Sequence, residues 1–326
     1  MLRLPRFSYL RPKTAREAAR KAADLGPRAM FVAGGTDLFP KLKRRQFDVD
    51  TLIGLDFLDR SVSADFVGAG ATLADIAKHP ELHGYAEAAG VVSSPPLRNA
   101  GTAGGNLCVD TRCNYYDMTY EWRKAIGFCM KKDGQICLVA PSSPRCWAVS
   151  SSDTGPMAIA LGAHVVLAGP DGEREAPVAS LYRDDGIEYM AKQPAEVVTG
   201  IRFQPTPGSR SAYVKLRRRG SIDFPIAGAA VWCQLDGDVV SACRIALAAV
   251  ASHPLEATAA ADFLVGKRLD AETIAHAAEL AAKPAKPLDN ADLSHFWRKR
   301  MVRVVVEDAI RRATGWTDST VKLSAV

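Results

Sequence analysis

The sequence predicts an α+β protein in two parts: an α/β region of about 205 residues, then an antiparallel sheet with helices. Three observations predict it. Strand-length apolar stretches alternate with helical spacing through the first two hundred residues. The breaker-rich run Gln204-Pro205-Thr206-Pro207-Gly208 then interrupts the chain. Beyond it, two strand-like stretches are joined by Asp236-Gly237, a hairpin turn signature, and helical spacing runs on from there.

Thr14 and Glu17 form a capping box that opens a helix over 15–24. Residues 30–33 read as a short strand, broken by Gly34-Gly35, and 37–45 as a helix. Residues 51–55 are the next strand, which completes a small βαβ-type unit. A strand at 65–70 precedes Thr72, an N-cap for a helix to about 79, and 84–92 is again helical. Ser93-Ser94-Pro95-Pro96 stops it, and a Gly-rich stretch at 99–106 follows. Residues 107–152 have weak periodicity. A helix at 153–162 and strands at 164–168 and 196–203 close the first part. In the second part, strands are expected at 212–216, 226–235 and 239–250, and helices at 255–265, 271–282 and 291–314. The last helix carries Leu293, Phe296, Trp297, Met301, Val304 and Val305 at helical spacing, expected to pack in a core.

Composition is that of a globular chain. Of 326 residues, 48% are hydrophobic and 24% charged, which excludes disordered and collagen-like classes. A net charge of +6 does not demand a nucleic-acid partner, for which a concentrated basic stripe is expected. The N-terminus lacks the apolar core of a signal peptide, and no apolar run approaches membrane-spanning length. The expectation is a cytoplasmic chain with no membrane and no nucleic-acid partner.

Two Gly-Gly motifs stand out: Ala33-Gly34-Gly35-Thr36-Asp37 and Thr102-Ala103-Gly104-Gly105-Asn106. Adjacent glycines let backbone N–H groups approach an anion without an intervening Cβ. Thr36 and Thr102 add hydroxyls, and two such loops suit the two phosphates of a dinucleotide. A Rossmann fingerprint is absent, because Gly68-Ala69-Gly70 is followed by Leu73 where a glycine is required.

Five of the seven cysteines crowd into 39 residues: Cys108, Cys113, Cys129, Cys137 and Cys146. In a reducing compartment such thiols point to metal ligands or redox groups rather than disulfides. Four thiolates can hold a zinc ion or a four-iron cluster, and idle reduced thiols are the third reading. Cys108, close behind the Gly-Gly-Asn turn, is the natural fifth, unused thiol. The six histidines show no metal spacing. Lys41, Lys43, Arg44 and Arg45 are expected to be solvated, where they could steer an acidic electron donor. Arg217-Arg218-Arg219 is read as a solvated edge or a flavin- or subunit-facing patch.

Together, AGGTD, TAGGN, SSDTGPMAIALGA, EVVTGIRF and KLRRRGSIDFPIAGAAV resemble the flavin-binding medium subunit of the xanthine dehydrogenase and carbon monoxide dehydrogenase family, over nearly the whole chain. The resemblance implies a two-lobed α/β FAD-binding domain of the PCMH type over 1–205, with lobes at about 1–58 and 59–205. A C-terminal three-stranded sheet with helices would follow over 206–326. It implies that both Gly-Gly loops hold the FAD pyrophosphate, through Ala33, Gly34, Gly35, Thr36, Asp37, Thr102, Gly104, Gly105 and Asn106. Asp153 would meet the ribityl or ribose region, and Lys215 joins the cofactor-binding set.

Asn106 and Asp153 stand 47 positions apart, much further than is usual in that family. The difference is an insertion at about 108–150 that holds the spaced cysteines. It resembles the beta subunit of 4-hydroxybenzoyl-CoA reductases, whose [4Fe-4S] ligand spacing matches Cys113, Cys129, Cys137 and Cys146. That resemblance implies an electron-transfer subunit. Electrons from a ferredoxin-like donor would pass through [4Fe-4S] and FAD to a [2Fe-2S] small subunit and a molybdopterin-binding large subunit. No catalytic acid or base is expected here. The alternatives are the FAD subunit of an oxidative molybdenum hydroxylase acting on an aldehyde or N-heterocycle, and a zinc-stabilised binding module.

Overall fold

A computed structural model describes residues 2–317, so the end of the expected 206–326 part, from 318 on, lies outside the described residues. The fold is α+β, with three separate sheets among the described residues.

The first lobe contains β1 (Ser8–Leu10), α1 (Ala15–Leu25), β2 (Ala29–Val32), α2 (Leu38–Lys43) and β3 (Thr51–Gly54). Its strands are parallel in the order β1-β3-β2. Thr14 caps α1 by accepting from the Glu17 amide at 3.1 Å, and the Glu17 carboxylate reaches back one residue further than in a strict capping box, accepting from the Lys13 amide at 2.8 Å. A small core of Val32, Leu42, Val49 and Leu52 seats α2 on the sheet.

The second lobe runs through β4 (Phe66–Gly68), α3 (Leu73–Ile76), α4 (His83–Gly90), α5 (Pro95–Arg98), α6 (Ala103–Leu107), α7 (Tyr120–Ala125) and α8 (Thr154–Ala160). It ends with β5 (His164–Ala168), β6 (Glu173–Pro177) and β7 (Val197–Arg202). These strands form an antiparallel sheet in the order β4-β7-β5-β6. Between α6 and α8 the chain is mostly irregular, with α7 its one helix among the described residues.

The last part contains β8 (Arg210–Leu216), β9 (Ala227–Asp236), β10 (Val239–Ala248) and β11 (Leu255–Glu256). Helices α9 (Thr258–Leu264), α10 (Ala271–Ala282) and α11 (His295–Thr314) complete it. The sheet has four strands rather than the expected three, because the two-residue β11 adds to the edge of β10. Both faces of this sheet are covered. Ala230 and Trp232 face the second lobe, while the alternating Ala229, Val231 and Cys233 face the helices.

The apolar stripe expected to fill a core on the last helix is a correction. Val305 is buried, but Leu293 and Val304 are exposed, and Phe296 is 74% exposed. The inward face is instead Val302, Val305, Val306, Ala309, Ile310 and Ala313, set by where the sheet lies rather than by where the largest side chains fall.

Candidate functional site

The first Gly-Gly loop joins β2 to α2, and the second opens α6. They meet backbone to backbone. A Cβ on Gly34 would lie 1.8 Å from the Ala100 carbonyl oxygen, so only glycine lets the two segments touch. Gly35 adopts φ +68°, the left-handed region that favours glycine. Gly104 lies against Ala69, and its amide donates to the Ala69 carbonyl at 3.0 Å. Thr102 caps α6 by accepting from the Gly105 amide at 3.2 Å. The glycines therefore serve the packing of the loops as well as any ligand.

A cavity of about 200 Å³ opens between the loops, lined by Ala33, Gly34, Gly70, Thr72, Ala100 and Thr102, with Asp56 and Arg60 at it too. Among the described residues, the amides of Gly34, Gly35 and Thr36 donate to no protein acceptor. Free amides beside a cavity with an arginine are what a phosphate group requires, and the sequence reading had missed Arg60.

Asn106 reaches away from this cavity. Its side-chain oxygen accepts from the Thr154 amide at 3.1 Å, the Thr154 hydroxyl at 2.7 Å and the Ser152 hydroxyl at 3.0 Å. Asp153, between those two residues, is buried at the start of α8. Its carboxylate accepts from Lys215 Nζ at 2.8 Å and from the Tyr213 hydroxyl at 2.9 Å. Burial pushes the Asp153 carboxyl above its ordinary range, more than Lys215 and Tyr213 pull it down. Lys215 Nζ also donates to the Val91 carbonyl at 3.0 Å, as does Arg217 at 2.9 Å. Of the arginine run, Arg217 turns inward, while Arg218 and Arg219 stay exposed.

The insertion brings Cys113, Cys129, Cys137 and Cys146 together, each at most 7% exposed. Cys113, Cys129 and Cys146 share one small core with Tyr116 and Ala148. Burial above all pushes the Cys113 thiol up to about 12, and the other three thiols add to the shift. Burial likewise pushes Cys146 up to about 11. The Ala148 amide donates to Cys146 Sγ at 3.4 Å. Gly186 closes over this sulfur, since a Cβ there would stand 2.6 Å from it. Gly127, Phe128 and Asp133 all take positive φ, so the chain around Cys129 is tightly wound. Cys108 stays outside this nest and packs against the main core.

Four buried thiols near one another, with the Ala148 amide donating to Cys146 Sγ, are the kind of donor set an iron–sulfur cluster takes. A zinc ion would draw its sulfurs in to bonds of about 2.3 Å. Among the described residues, no three His, Cys, Asp or Glu side chains converge as the ligands of one metal ion.

Charged residues join the two sites, and here the sequence expectation for Lys41 is corrected. Lys41 is not solvated but fully buried. Its ammonium donates to Asp110 at 2.7 Å and lies 3.4 Å from Asp117. Lys43 and Arg45 do lie exposed, as expected. Lys131 takes the other oxygen of Asp110 at 2.8 Å. Asp117 accepts from the Cys113 amide at 3.0 Å and from Arg112 at 3.0 Å. Arg112 also pairs with Asp37 of the first Gly-Gly motif and stacks on Phe224. The helix that follows the first loop is thus pinned to the cysteine insertion by ion pairs that no local sequence signal marks.

The comparisons with known proteins cover both parts of the chain. The family described as "FAD binding domain in molybdopterin dehydrogenase" matches residues 5–206, and "CO dehydrogenase flavoprotein C-terminal domain" matches residues 211–313. The chain is 28% identical over 320 residues to the carbon monoxide dehydrogenase medium chain of Hydrogenophaga pseudoflava, covering 95% of this chain and 97% of that one. It is 32% identical over 275 residues to the aldehyde oxidoreductase FAD-binding subunit of Escherichia coli, covering 78% and 84%. The solved carbon monoxide dehydrogenase from Hydrogenophaga pseudoflava superposes with a TM-score of 0.78, covering 96% of this chain and 99% of that one.

Proposed function

The chain belongs to the family of FAD-binding medium subunits of molybdopterin dehydrogenases, and from that premise we propose that it carries both FAD and a [4Fe-4S] cluster in a complex resembling 4-hydroxybenzoyl-CoA reductase. The observation that carries this reading is that Cys113, Cys129, Cys137 and Cys146 are all buried near one another in an insertion pinned to the first Gly-Gly loop.

When bound, FAD supplies exchange of one or two electrons and the cluster exchange of one at a time. The chain's own residues bind and orient. The amides of Gly34, Gly35 and Thr36, with the Thr102 hydroxyl, take the pyrophosphate; Gly104 and Gly105, whose amides are bound to Ala69 and Thr102, let the second loop pack close, and Ala33 and Asp37 shape the first loop. Asn106, Asp153 and Lys215 hold the second loop, α8 and the C-terminal sheet in one arrangement around the flavin. Cys113, Cys129, Cys137 and Cys146 ligate the cluster, and Cys108 does not. We take 1–205 as the FAD-binding domain and 206–326 as the C-terminal domain.

In this reading the cluster held by Cys113, Cys129, Cys137 and Cys146 would accept single electrons from a ferredoxin-like donor. The FAD held by the two loops would pass them toward a [2Fe-2S] small subunit and a molybdopterin-binding large subunit, where the phenolic hydroxyl of 4-hydroxybenzoyl-CoA would be removed. The second reading is an oxidative complex acting on an aldehyde or N-heterocycle, favoured by the 32% identity to an aldehyde oxidoreductase subunit. Among the described residues no helix is long and apolar enough to cross a membrane.

The test is anaerobic purification with flavin, iron and sulfide analysis. About one FAD and four irons per chain are expected. Flavin without iron would overturn the cluster. Cys129→Ser should lose iron while Cys108→Ser keeps it. With partner subunits present, formation of benzoyl-CoA from 4-hydroxybenzoyl-CoA with reduced ferredoxin as electron donor supports the reductive reading, and oxidation of an aldehyde supports the second.

A further inference from the structure

Two cysteines lie outside the insertion, on neighbouring strands of the C-terminal sheet. Cys233 of β9 and Cys243 of β10 are direct partners in antiparallel register. Opposed residues in such a pair stand with Cα atoms about 4.5 or 5.5 Å apart. Their Cβ atoms leave the same face, about 4.5–5.5 Å apart. A disulfide takes Cα atoms about 4.4–6.8 Å apart and Cβ atoms about 3.5–4.5 Å apart. Bridging this pair therefore needs a small approach of the two Cβ atoms and no change of register.

The faces agree. Cys233 belongs to the core between the sheet and the helices, and Cys243 packs against that same core. A bulge between Val240 and Ala242 adjoins Cys243, where the ladder is already irregular. Solvent access differs: Cys233 is 1% exposed, whereas Cys243 is partly exposed.

We propose that Cys233 and Cys243 are a redox modification site, a dithiol that hydrogen peroxide converts to a disulfide across the β9–β10 hairpin. The accessible Cys243 thiolate attacks one peroxide oxygen. The O–O bond breaks, water leaves, and Cys243 becomes a sulfenic acid. Cys233 then attacks the Cys243 sulfur, the S–O bond breaks, and a second water leaves. Two thiols lose two electrons and two protons, and one peroxide becomes two waters. Burial pushes Cys233 up to about 11 and Cys243 up to about 12. The thiolate is scarce at neutral pH, so the site reacts slowly there and faster in base.

The sequence makes the test direct. Trypsin cleavage after Arg219 and Arg244 places both thiols in one peptide, 220–244, that contains no other cysteine. The full-length protein is treated with hydrogen peroxide, its remaining thiols are blocked with N-ethylmaleimide, and it is digested. The expected product is an unalkylated 220–244 peptide lighter by two hydrogens, formed faster at about pH 9 than at about pH 7. In Cys233→Ser, dimedone should trap the Cys243 sulfenic acid and no bridge should form. A doubly alkylated 220–244 peptide, recovered while insertion cysteines in the same sample have oxidised, overturns the proposal. So does Cys243 sulfinic acid with no bridged peptide. The wild-type measurement needs no variant to fold.

Discussion

One oxygen of Asn106 accepts both the amide and the hydroxyl of Thr154, at 3.1 and 2.7 Å, across 48 positions of chain. The insertion leaves from one side of this contact and returns to the other, so α6 and α8 stay together whatever length of chain lies between. Asn106→Ala would leave the Thr154 amide and hydroxyl and the Ser152 hydroxyl without their acceptor, in residues at most 2% exposed. A loss of about 2–3 kcal/mol is expected. Asn106→Asp keeps an acceptor and should recover much of it. Thermal unfolding and flavin content of the two variants check this; equal losses would contradict it.

The contact between Gly34 and Ala100 gives a sharper steric prediction. Gly34→Ala places a methyl 1.8 Å from a backbone oxygen, so one loop must move. Flavin content should drop and the melting temperature should fall. Gly172→Ala is the control, since its Cβ would meet nothing within 4 Å. A Gly34→Ala protein that melts and binds flavin like Gly172→Ala would show that the loops do not touch.

Lys41 and Lys43 sit two positions apart on α2 and should behave oppositely. Lys41→Met removes one partner from Asp110 and Asp117 inside the protein, at a cost of about 3 kcal/mol. Lys43→Met alters an exposed side chain and should change stability by less than about 0.5 kcal/mol. Denaturant unfolding of both variants decides it. If the cysteine insertion depends on α2, Lys41→Met should also lower iron content while Lys43→Met does not.

Elements with a local cause were legible in the sequence. The strand at 164–168 and the helix at 271–282 match to the residue, because apolar spacing announces them; in the structure Asp270 caps the helix by accepting from the Thr273 amide. Ser8–Leu10 was missed because its order comes from parallel pairing with a strand some forty residues away. Glu173–Pro177 was missed because an exposed edge strand carries no apolar alternation. The site divides in the same way. Two Gly-Gly motifs and four spaced cysteines can be read from one chain segment at a time. Lys41 with Asp110 cannot, nor can buried Arg298, which donates to the Ile226, Leu288 and Ala249 carbonyls. Those partners are chosen by tertiary packing.

Two buried carboxylates, Asp110 inside the insertion and Asp153 just after it, should respond to acid in opposite senses. Burial raises Asp110, but Lys131 and Lys41 outweigh it and hold the carboxyl below its ordinary 3.8. The unfolded chain therefore takes up this proton first as pH falls. Asp110 contributes stability above about 3.8 that is lost as pH drops through the lower folded value. For Asp153 burial wins, and the folded value lies above 3.8. The native state takes up this proton first, so acidification through that window favours the fold, and rising pH removes the gain. Relative to wild type, Asp110→Asn should lose stability less steeply between about pH 5 and pH 3, and Asp153→Asn more steeply. Urea unfolding across that range measures both slopes. Slopes that shift in the same direction would show that one of the two carboxylates is not held by the partners assigned to it.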